Sequence, residues 1–295
     1  MSLVLTVITG PGAGSILPDI IATISARLSI AGKPDWLAPG MACDLALHPT
    51  DTKAAETIAR QVVADAAIDV LVQKRTGRRK RLLVADLEST IIENEMLDEL
   101  ADCVGQRAHV AEITRRAMNG ELDFAAALAE RVGLLKGLSE AVLDEAARRI
   151  RLMPGARALL ATARAAGMRT ALVSGGFTVF ADRVAAELGF DRVVANRLQI
   201  ADGRLAGTVA APIVTREVKR DTIAALAAEY GIPLTAALAV GDGANDLPML
   251  ERAGLGIAFR AKPAVAAAAR WRIDHGDLTA LLYAQGYRAA EILNG

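Results

Sequence analysis

Cysteine is scarce in this sequence, which has only Cys43 and Cys103 among 295 residues. Two isolated thiols are too few for a disulfide framework, and they lack the close spacing of a zinc-binding knuckle. The cysteine content therefore predicts a reducing compartment, and we expect a cytoplasmic protein.

Long apolar stretches and an excess of either charge are also missing. No uninterrupted run of about 18 apolar residues occurs, so no membrane-spanning helix is predicted, and the first residues lack the basic start of a secretion signal. Basic and acidic residues number 34 each and aromatics make up 3%, which argues against nucleic-acid and acidic-membrane partners. The one basic run, Arg75 to Arg81, contains no aromatic residue and is interpreted as a solvated linker.

The first 76 residues alternate apolar runs with helical stretches, in the order strand, helix, strand, strand, helix, strand. Strands are expected at residues 3–9, around Trp36, at 41–47 and at 69–73, and helices are expected up to about 29 and from 52 to about 66. This is the split βαβ order of a small ferredoxin-like α+β domain. On element order alone, residues 1–76 resemble ACT-type domains. Whether this domain binds an amino acid or mediates a homodimer stays open.

From residue 77 to 295, apolar runs alternate with Ala- and Leu-rich helical stretches. Strands are expected at 81–85, at 168–173 and at 236–240, and they end next to Asp86, Ser174 and Gly241-Asp242. Strands separated by helices form parallel sheets with right-handed crossovers, and ligands lie beyond the carboxyl ends of such strands. These three polar positions are therefore expected at one edge of a Rossmann-like sheet.

Two further segments have distinct patterns. Residues 93–152 contain no strand candidate and have strong helical periodicity, which predicts a small helical cap over the carboxyl edge of the sheet. Asp202-Gly203 lies between two short runs and predicts a β-hairpin. The expected fold class is therefore α/β, with a cap insertion and a preceding small domain.

Asp86, Glu88 and Thr90 form the first candidate constellation, directly after an apolar strand. A carboxylate at a strand end can attack phosphorus and form an acyl phosphate that water later cleaves. A second acid two residues on projects to the same side, where it can protonate the leaving oxygen and then activate the water. In isolation this string is weak, because Asp and Thr also suit the exits of surface strands.

Asp242, Asn245 and Asp246 form a second constellation, within the string VGDGAND. Carboxylates four residues apart, with glycines that let the backbone approach, suit a hard cation such as Mg²⁺. In isolation, a simple Asp/Asn/Gly turn explains these residues equally well.

Ser174 and Lys219 complete the candidate phosphate-binding residues. Ser174 can hydrogen-bond a phosphate oxygen, and Gly175 and Gly176 offer accessible backbone N–H groups. Lys219 is the only lysine between Ser174 and Asp242, and an ammonium group neutralises charge on a transferring phosphoryl group. Individually, these residues are also explained as a turn serine and a solvated helix lysine.

The order of these motifs over residues 82 to about 280 resembles that of the haloacid dehalogenase (HAD) superfamily. Within it, the strings STIIENE, LDFAAALAERVGLLKGL, LVSGGF and VGDGANDLPML resemble phosphoserine phosphatases. The resemblance implies Mg²⁺-dependent hydrolysis of O-phospho-L-serine to L-serine and phosphate, the last step of serine biosynthesis. It also implies an aspartyl-phosphate intermediate on Asp86.

The same resemblance implies individual roles. Arg131 would pair with the substrate carboxylate, Glu95 would pair with its ammonium group, and Phe124 would close over the substrate. The residues that would surround the phosphoryl group are Thr90, Ser174, Gly175, Lys219 and Asn245. Mg²⁺ would be held by Asp86, the backbone carbonyl of Glu88 and Asp242, with Asp246 nearby. A zwitterion needs one fixed cation, preferably a bidentate Arg, and one fixed anion.

Glu88 departs from the family pattern, in which the second acid of the first motif is normally Asp. Glu is longer by a methylene, and a misplacement of about 1 Å can cost on the order of 100-fold in rate. We predict that Glu88 works as the acid and base. Two alternatives stay open, namely a HAD phosphatase or phosphotransferase for another small phosphomonoester, and an amino-acid-binding regulatory protein with impaired catalysis.

Overall fold

The computed structural model describes residues 2–10, 18–48, 51–64, 66–118 and 123–295 of the chain. These residues contain a four-stranded sheet near the N-terminus and a seven-stranded sheet that follows it. Within the described ranges, no helix is long and apolar enough to cross a lipid bilayer.

The N-terminal sheet has the strand order β2-β3-β1-β4, with every neighbouring pair antiparallel. Its elements are β1 (Leu3–Thr9), α1 (Pro18–Arg27), β2 (Asp35–Ala38), β3 (Ala42–Leu47), α2 (Thr52–Val62) and β4 (Ile68–Lys74). Both helices pack on the sheet and bury Ile24 and Ala59 completely. The predicted ferredoxin-like arrangement is confirmed, although α2 ends short of the expected residue 66.

The larger sheet has the strand order β11-β10-β9-β5-β6-β7-β8. Its strands are β5 (Leu82–Ala85), β6 (Arg169–Phe177), β7 (Arg192–Ala201), β8 (Arg204–Ala210), β9 (Ala237–Gly241), β10 (Leu255–Phe259) and β11 (Trp271–Ile273). Neighbouring strands are parallel except for the antiparallel β7-β8 hairpin. The predicted parallel sheet is confirmed.

The insertion between β5 and β6 is helical and forms the cap. Its helices are α3 (Met96–Cys103), α4 (Arg107–Met118), α5 (Phe124–Gly133) and α6 (Ala141–Ala147). At the base of the cap, Ile92 pairs with Leu152 in an antiparallel bridge. Beyond α5, the Gly137 N–H donates to the Leu205 carbonyl (2.8 Å), which joins the cap to β8. The cap is therefore held both at its base and by the hairpin.

Helices cover both faces of the larger sheet. They are α7 (Ala156–Ala165), α8 (Thr178–Leu188), α9 (Arg216–Glu229), α10 (Leu247–Arg252), α11 (Pro263–Ala268) and α12 (Ala280–Ala284). In the central strand β5, Leu83 and Ala85 join the core beneath α7 and α8, whereas Leu82 and Val84 join the core beneath α9 and α10. Burial on both faces explains why β5 is an uninterrupted apolar run.

Two local predictions had different outcomes. The predicted hairpin turn is confirmed, since Asp202 and Gly203 both have positive φ (50° and 69°), as a two-residue turn of type I′ requires. The predicted end of a strand at Ser174 is wrong, because β6 continues to Phe177. The two glycines in this stretch look like a turn in the sequence, but Phe177 pairs with Asn196 of β7 and extends the strand.

The two sheets meet through β4 and the loop after β11. The buried Asp69 carboxylate accepts hydrogen bonds from the backbone N–H groups of Asp274, His275 and Gly276 (2.7, 3.2 and 2.7 Å). Burial raises the pKa of Asp69, although these N–H groups favour its ionised form. The predicted domain boundary between residues 76 and 77 follows β4 and stays a prediction.

Replacing Asp69 by Ala should lower the free energy of unfolding by about 2–4 kcal/mol, because three buried N–H groups lose their acceptor. Asp69→Asn keeps one acceptor oxygen and should lie in between. Urea denaturation measures both, with Asp51→Ala as the control. Asp51 is the exposed cap of α2, and its loss should cost about 1 kcal/mol. Equal stability of Asp69→Ala and the unaltered chain would contradict the prediction.

Candidate active site

Three adjacent strands bring the predicted motifs to one edge of the sheet. Strand β5 lies between β6 and β9 and is parallel to both. Asp86 follows β5, Asp242 follows β9, and Ser174 lies near the carboxyl end of β6. A hydrogen bond from the Asp86 N–H to the Val240 carbonyl (3.0 Å) fixes the first two strand ends against each other.

Three carboxylates converge at this edge. One oxygen from each of Asp86, Asp242 and Asp246 lies within 4.8 Å of the others, and all three residues are buried. Burial raises the pKa of Asp242 to about 6, with a further contribution from Asp246. Burial also raises the pKa of Asp86, and Asp246 adds to the effect. The cluster is therefore short of positive charge and suits a cation with oxygen ligands.

Lys219 supplies one positive charge from α9. Its Nζ lies 2.8 Å from Asp86 Oδ1 and 2.7 Å from Asp246 Oδ1, and only 1% of the residue is exposed. Burial alone would lower the pKa of Lys219, but Asp86 and Asp246 outweigh it and raise the pKa. Lys219 therefore stays protonated and holds two of the three carboxylates in place.

The backbone around the carboxylates is shaped by short contacts. Asp246 Oδ2 accepts a hydrogen bond from the Gly243 N–H (3.0 Å), and a Cβ at Gly241 would lie 2.4 Å from the Asp246 carboxyl carbon. The glycine at position 241 is therefore required for this approach. Thr90 is fully buried, with its Oγ1 3.4 Å from Asp242 Oδ1.

Ser174 lies on the opposite side of Asp86 from Asp242. It is buried, and its Oγ accepts a hydrogen bond from the Gly176 N–H (2.9 Å). The Gly175 carbonyl accepts from the side chain of Asn196 (2.7 Å), which in turn accepts from the Val214 N–H (2.7 Å). Asn196 was not among the residues predicted from the sequence. It is completely buried in β7, where its side chain must be hydrogen-bonded, and both of its partners are backbone groups.

Glu88 lies beside the cluster, where its Oε1 accepts a hydrogen bond from the Met96 N–H at the start of α3 (2.9 Å). A Cβ at Gly176 would lie 2.9 Å from both Glu88 oxygens, so the glycine makes room for this longer acid. Burial of Glu88 away from water raises the pKa of its carboxyl group to about 8, and the negative charge of Glu95 contributes to the increase. The carboxyl group is therefore mainly protonated at neutral pH, which is the form that a general acid needs.

A cavity of about 150 Å³ lies between the cap and the carboxylates. The cap contributes Glu95, Phe124 and Arg131, and the sheet edge contributes Asp86, Glu88, Gly175, Asp242 and Asn245. The structure thus brings the predicted substrate-side residues into the same cavity as the predicted nucleophile. Glu95 accepts a hydrogen bond from Ser89 Oγ (2.7 Å), a contact that the sequence did not predict.

Two charged residues of the cavity were missed by the sequence analysis. Asp98 belongs to α3, and its charge opposes the lowering of the pKa of Arg131 that burial causes. Lys262 follows β10, a fourth strand with its carboxyl end at this edge, and its backbone N–H lies 3.4 Å from the Asp242 carbonyl. The position of β10 beside β9 is the signal that could have identified Lys262.

Replacing Lys219 by Met should lower the free energy of unfolding by about 3 kcal/mol at neutral pH, because it leaves two buried carboxylates without their cation. Any turnover that depends on the Asp86 carboxylate should fall by about 100-fold. Denaturant titration and steady-state kinetics measure the two effects. Lys53→Met, at an exposed position of α2, is the matched control. The assignment is wrong if the Lys219 variant behaves like this control.

The parallel sheet, the cap insertion and the buried lysine among carboxylates together define a hydrolase of the haloacid dehalogenase type. The chain belongs to the haloacid dehalogenase-like hydrolase family, whose model matches residues 83–251. Its relatives there include phosphoserine phosphatase SerB2 of Mycobacterium tuberculosis, with 39% identity over 284 residues, which are 95% of this chain and 69% of that protein. The phosphoserine phosphatase of Streptococcus thermophilus is 46% identical over 215 residues, 73% of this chain and 96% of that protein.

Solved structures agree with this assignment. The HAD family hydrolase t0658 from Salmonella enterica serovar Typhi has a TM-score of 0.87 at 30% identity and covers 96% of this chain and 97% of its own. A phosphoserine phosphatase with a phospho-aspartyl intermediate analogue has a TM-score of 0.66 at 38% identity and covers 70% of this chain and 98% of its own. The resemblance to phosphoserine phosphatases of this superfamily is confirmed.

Proposed function

We propose that this protein hydrolyses O-phospho-L-serine to L-serine and phosphate, with Mg²⁺ as cofactor and an aspartyl phosphate on Asp86 as intermediate. The observation that carries the proposal is the shared cavity of Asp86, Glu88, Glu95 and Arg131. One wall offers a nucleophile and a protonated acid, and the other offers the cation and anion that a zwitterion needs.

The carboxylate cluster fits a divalent cation. Its three buried aspartates have Lys219 as their partner cation, so the ionised cluster has an excess of two negative charges. Asp86, Asp242 and the backbone carbonyl of Glu88 would hold Mg²⁺, with Asp246 close by. When bound, the cation neutralises charge on the phosphoryl oxygens and orients the phosphate.

In the first step, an Asp86 carboxylate oxygen forms a bond to phosphorus and the bond from phosphorus to the serine oxygen breaks. Hydrogen bonds from the Leu87 N–H and from Lys219 to Asp86 Oδ1, both 2.8 Å, hold the nucleophile in one orientation. Glu88 gives its proton to the departing serine oxygen, which leaves as the alcohol. The mainly protonated state of Glu88 at neutral pH supports this role.

In the second step, a water molecule attacks phosphorus and gives a proton to the Glu88 carboxylate. The bond from phosphorus to Asp86 breaks, inorganic phosphate leaves, and both acids return to their starting states. Throughout, Lys219, Ser174, Thr90, Asn245 and the backbone of Gly175 would hold the phosphoryl oxygens.

The cap would select the amino acid part of the substrate. Arg131 would pair with the carboxylate and Glu95 with the ammonium group. Phe124 begins α5, and its ring would lie 3.3 Å from a Cβ at position 175, so glycine there lets the ring cover the cavity. Phe124 would then exclude water from the reacting groups.

Phosphate release from L-phosphoserine, measured with Mg²⁺ and with EDTA beside a panel of other phosphomonoesters and alcohol acceptors, tests the proposal. We expect magnesium-dependent release that is selective for L-phosphoserine. Selective turnover of another phosphomonoester would retain Asp86 as nucleophile and remove the roles of Glu95, Phe124 and Arg131. Transfer of the phosphoryl group to an added alcohol would favour a phosphotransferase. No turnover of any compound would favour a regulatory protein instead.

A further inference from the structure

The basic run Arg75 to Arg81 was predicted to be a solvated linker, but one of its side chains is buried. Lys80 is only 9% exposed. Its Nζ donates to the carbonyls of Gly77 (3.0 Å) and Thr235 (2.9 Å), which carry no charge. Among the residues that the structure describes, no carboxylate forms an ion pair with Lys80, and burial lowers its pKa. Lys80 is therefore a largely buried ammonium group whose partners, among the described residues, are uncharged.

Lys80 lies in the wall of a cavity of about 470 Å³ between the two sheets. Five basic residues line this interdomain cavity, and no acidic residue of the described ranges does. They are Lys74, Arg78, Arg79, Lys80 and Arg270. Leu3 and Trp271 supply apolar surface. The cavity therefore combines an excess of positive charge with an apolar wall.

Two of the five basic side chains are already neutralised. Arg78 pairs with Asp44, and Arg79 pairs with Glu291 (2.7 Å). Within the described part of the chain, Lys74, Lys80 and Arg270 have no such pair. Three cationic side chains of the cavity wall are thus available to an anion.

We propose that the interdomain cavity binds a small organic anion, whose phosphate or carboxylate group meets Lys80 and Arg270 and whose apolar part contacts Trp271. This second site is distinct from the phosphatase site. Lys80 precedes β5 and Asp86 follows it, so they lie about 20 Å apart at a rise of about 3.3 Å per residue. A ligand here would touch both sheets and stabilise their association.

Tryptophan fluorescence gives a direct test, because the chain has two tryptophans and only Trp271 lines the cavity. In a Trp36→Phe background, Trp271 reports binding alone. We would titrate inorganic phosphate, adenosine monophosphate and benzoate in EDTA, with uncharged adenosine as control. The proposal predicts a saturable change with an organic anion and none with adenosine. Equal affinity for adenosine monophosphate and inorganic phosphate would overturn the role of Trp271.

Two variants connect the signal to the basic residues. Lys80→Met should weaken anion binding at least tenfold, whereas phosphate release from L-phosphoserine should stay unchanged. Arg270→Gln changes an exposed side chain at the cavity, should also weaken binding, and keeps the test valid if Lys80→Met fails to fold. The proposal is overturned if no anion gives a saturable signal, or if both variants bind as tightly as the parent. Because phosphatase activity is measured separately, failure here is distinguishable from failure of the proposed enzymatic function.

Discussion

Asp86→Asn should abolish phosphate release, with a loss on the order of 10⁴-fold or more, because an amide cannot attack phosphorus as a carboxylate does. Asn has nearly the same volume as Asp, and its side-chain oxygen can still accept from the Leu87 N–H that now contacts Oδ1. The variant should therefore fold, with Lys219 still paired with Asp246. Steady-state turnover of L-phosphoserine measures the loss.

Trapping of the phosphoenzyme makes the Asp86 experiment specific. The unaltered chain, quenched in acid during turnover, should carry one phosphoryl group on the peptide that contains residue 86, and Asp86→Asn should carry none. Asp191→Asn is the control, since Asp191 accepts from Thr170 at the amino end of β6, away from the cavity. If Asp86→Asn turned over normally, another group would have to be the nucleophile.

Glu88→Gln should lower turnover by about 10² to 10⁴, the range for loss of a general acid and base. Gln keeps the length of Glu and can retain the contact with the Met96 N–H, so the change removes proton transfer and little else. Because Glu88 acts as the acid in the first step and as the base in the second, both steps should be slower in this variant. Rapid-quench measurements of serine release and of phosphate release give the rate of each step.

Glu88→Asp tests the length of the acidic side chain, because it keeps the carboxyl group and removes one methylene. Met96 N–H and Gly176 both position the longer side chain, so shortening it should withdraw the proton from the leaving oxygen. We expect turnover below that of the unaltered chain. An increase of orders of magnitude with Asp, together with no effect of Gln, would show that Glu88 is an impaired substitute and not a working acid.

Much of the sheet edge could be predicted, because the end of a buried strand is recognisable in the sequence as an apolar run followed by a polar residue. Asp86 and Asp242 each follow a short apolar run, and parallel strands must bring these ends to the same edge. The helical cap was predictable as a block from its periodicity. The place of Lys219 in the site was predicted from the order of the motifs, whereas a lysine on a helix is by itself more often exposed; its complete burial is a finding of the structure.

Other contacts depend on which loops meet, and no periodicity encodes that. The Asp69 carboxylate and the backbone at 274–276 are more than 200 residues apart in sequence. The burial of Lys80 is a second example. A basic run predicts exposed side chains, whereas the contact of Lys80 Nζ with the Thr235 carbonyl depends on how distant segments fold together. At Ser174, two glycines suggested a turn, whereas pairing with β7 keeps the chain extended.

The pairing of the cap with the β7-β8 hairpin affects how the enzyme could be re-engineered. Backbone hydrogen bonds run from Gly137 to Leu205, from Leu205 to Leu138 and from Glu140 to Gly203. Any opening of the cap must either break these bonds or carry the hairpin with it. Cap and hairpin therefore form one structural unit. A cap taken from a relative would need the segment of the same relative that corresponds to residues 192–210 here, so that these hydrogen bonds can form.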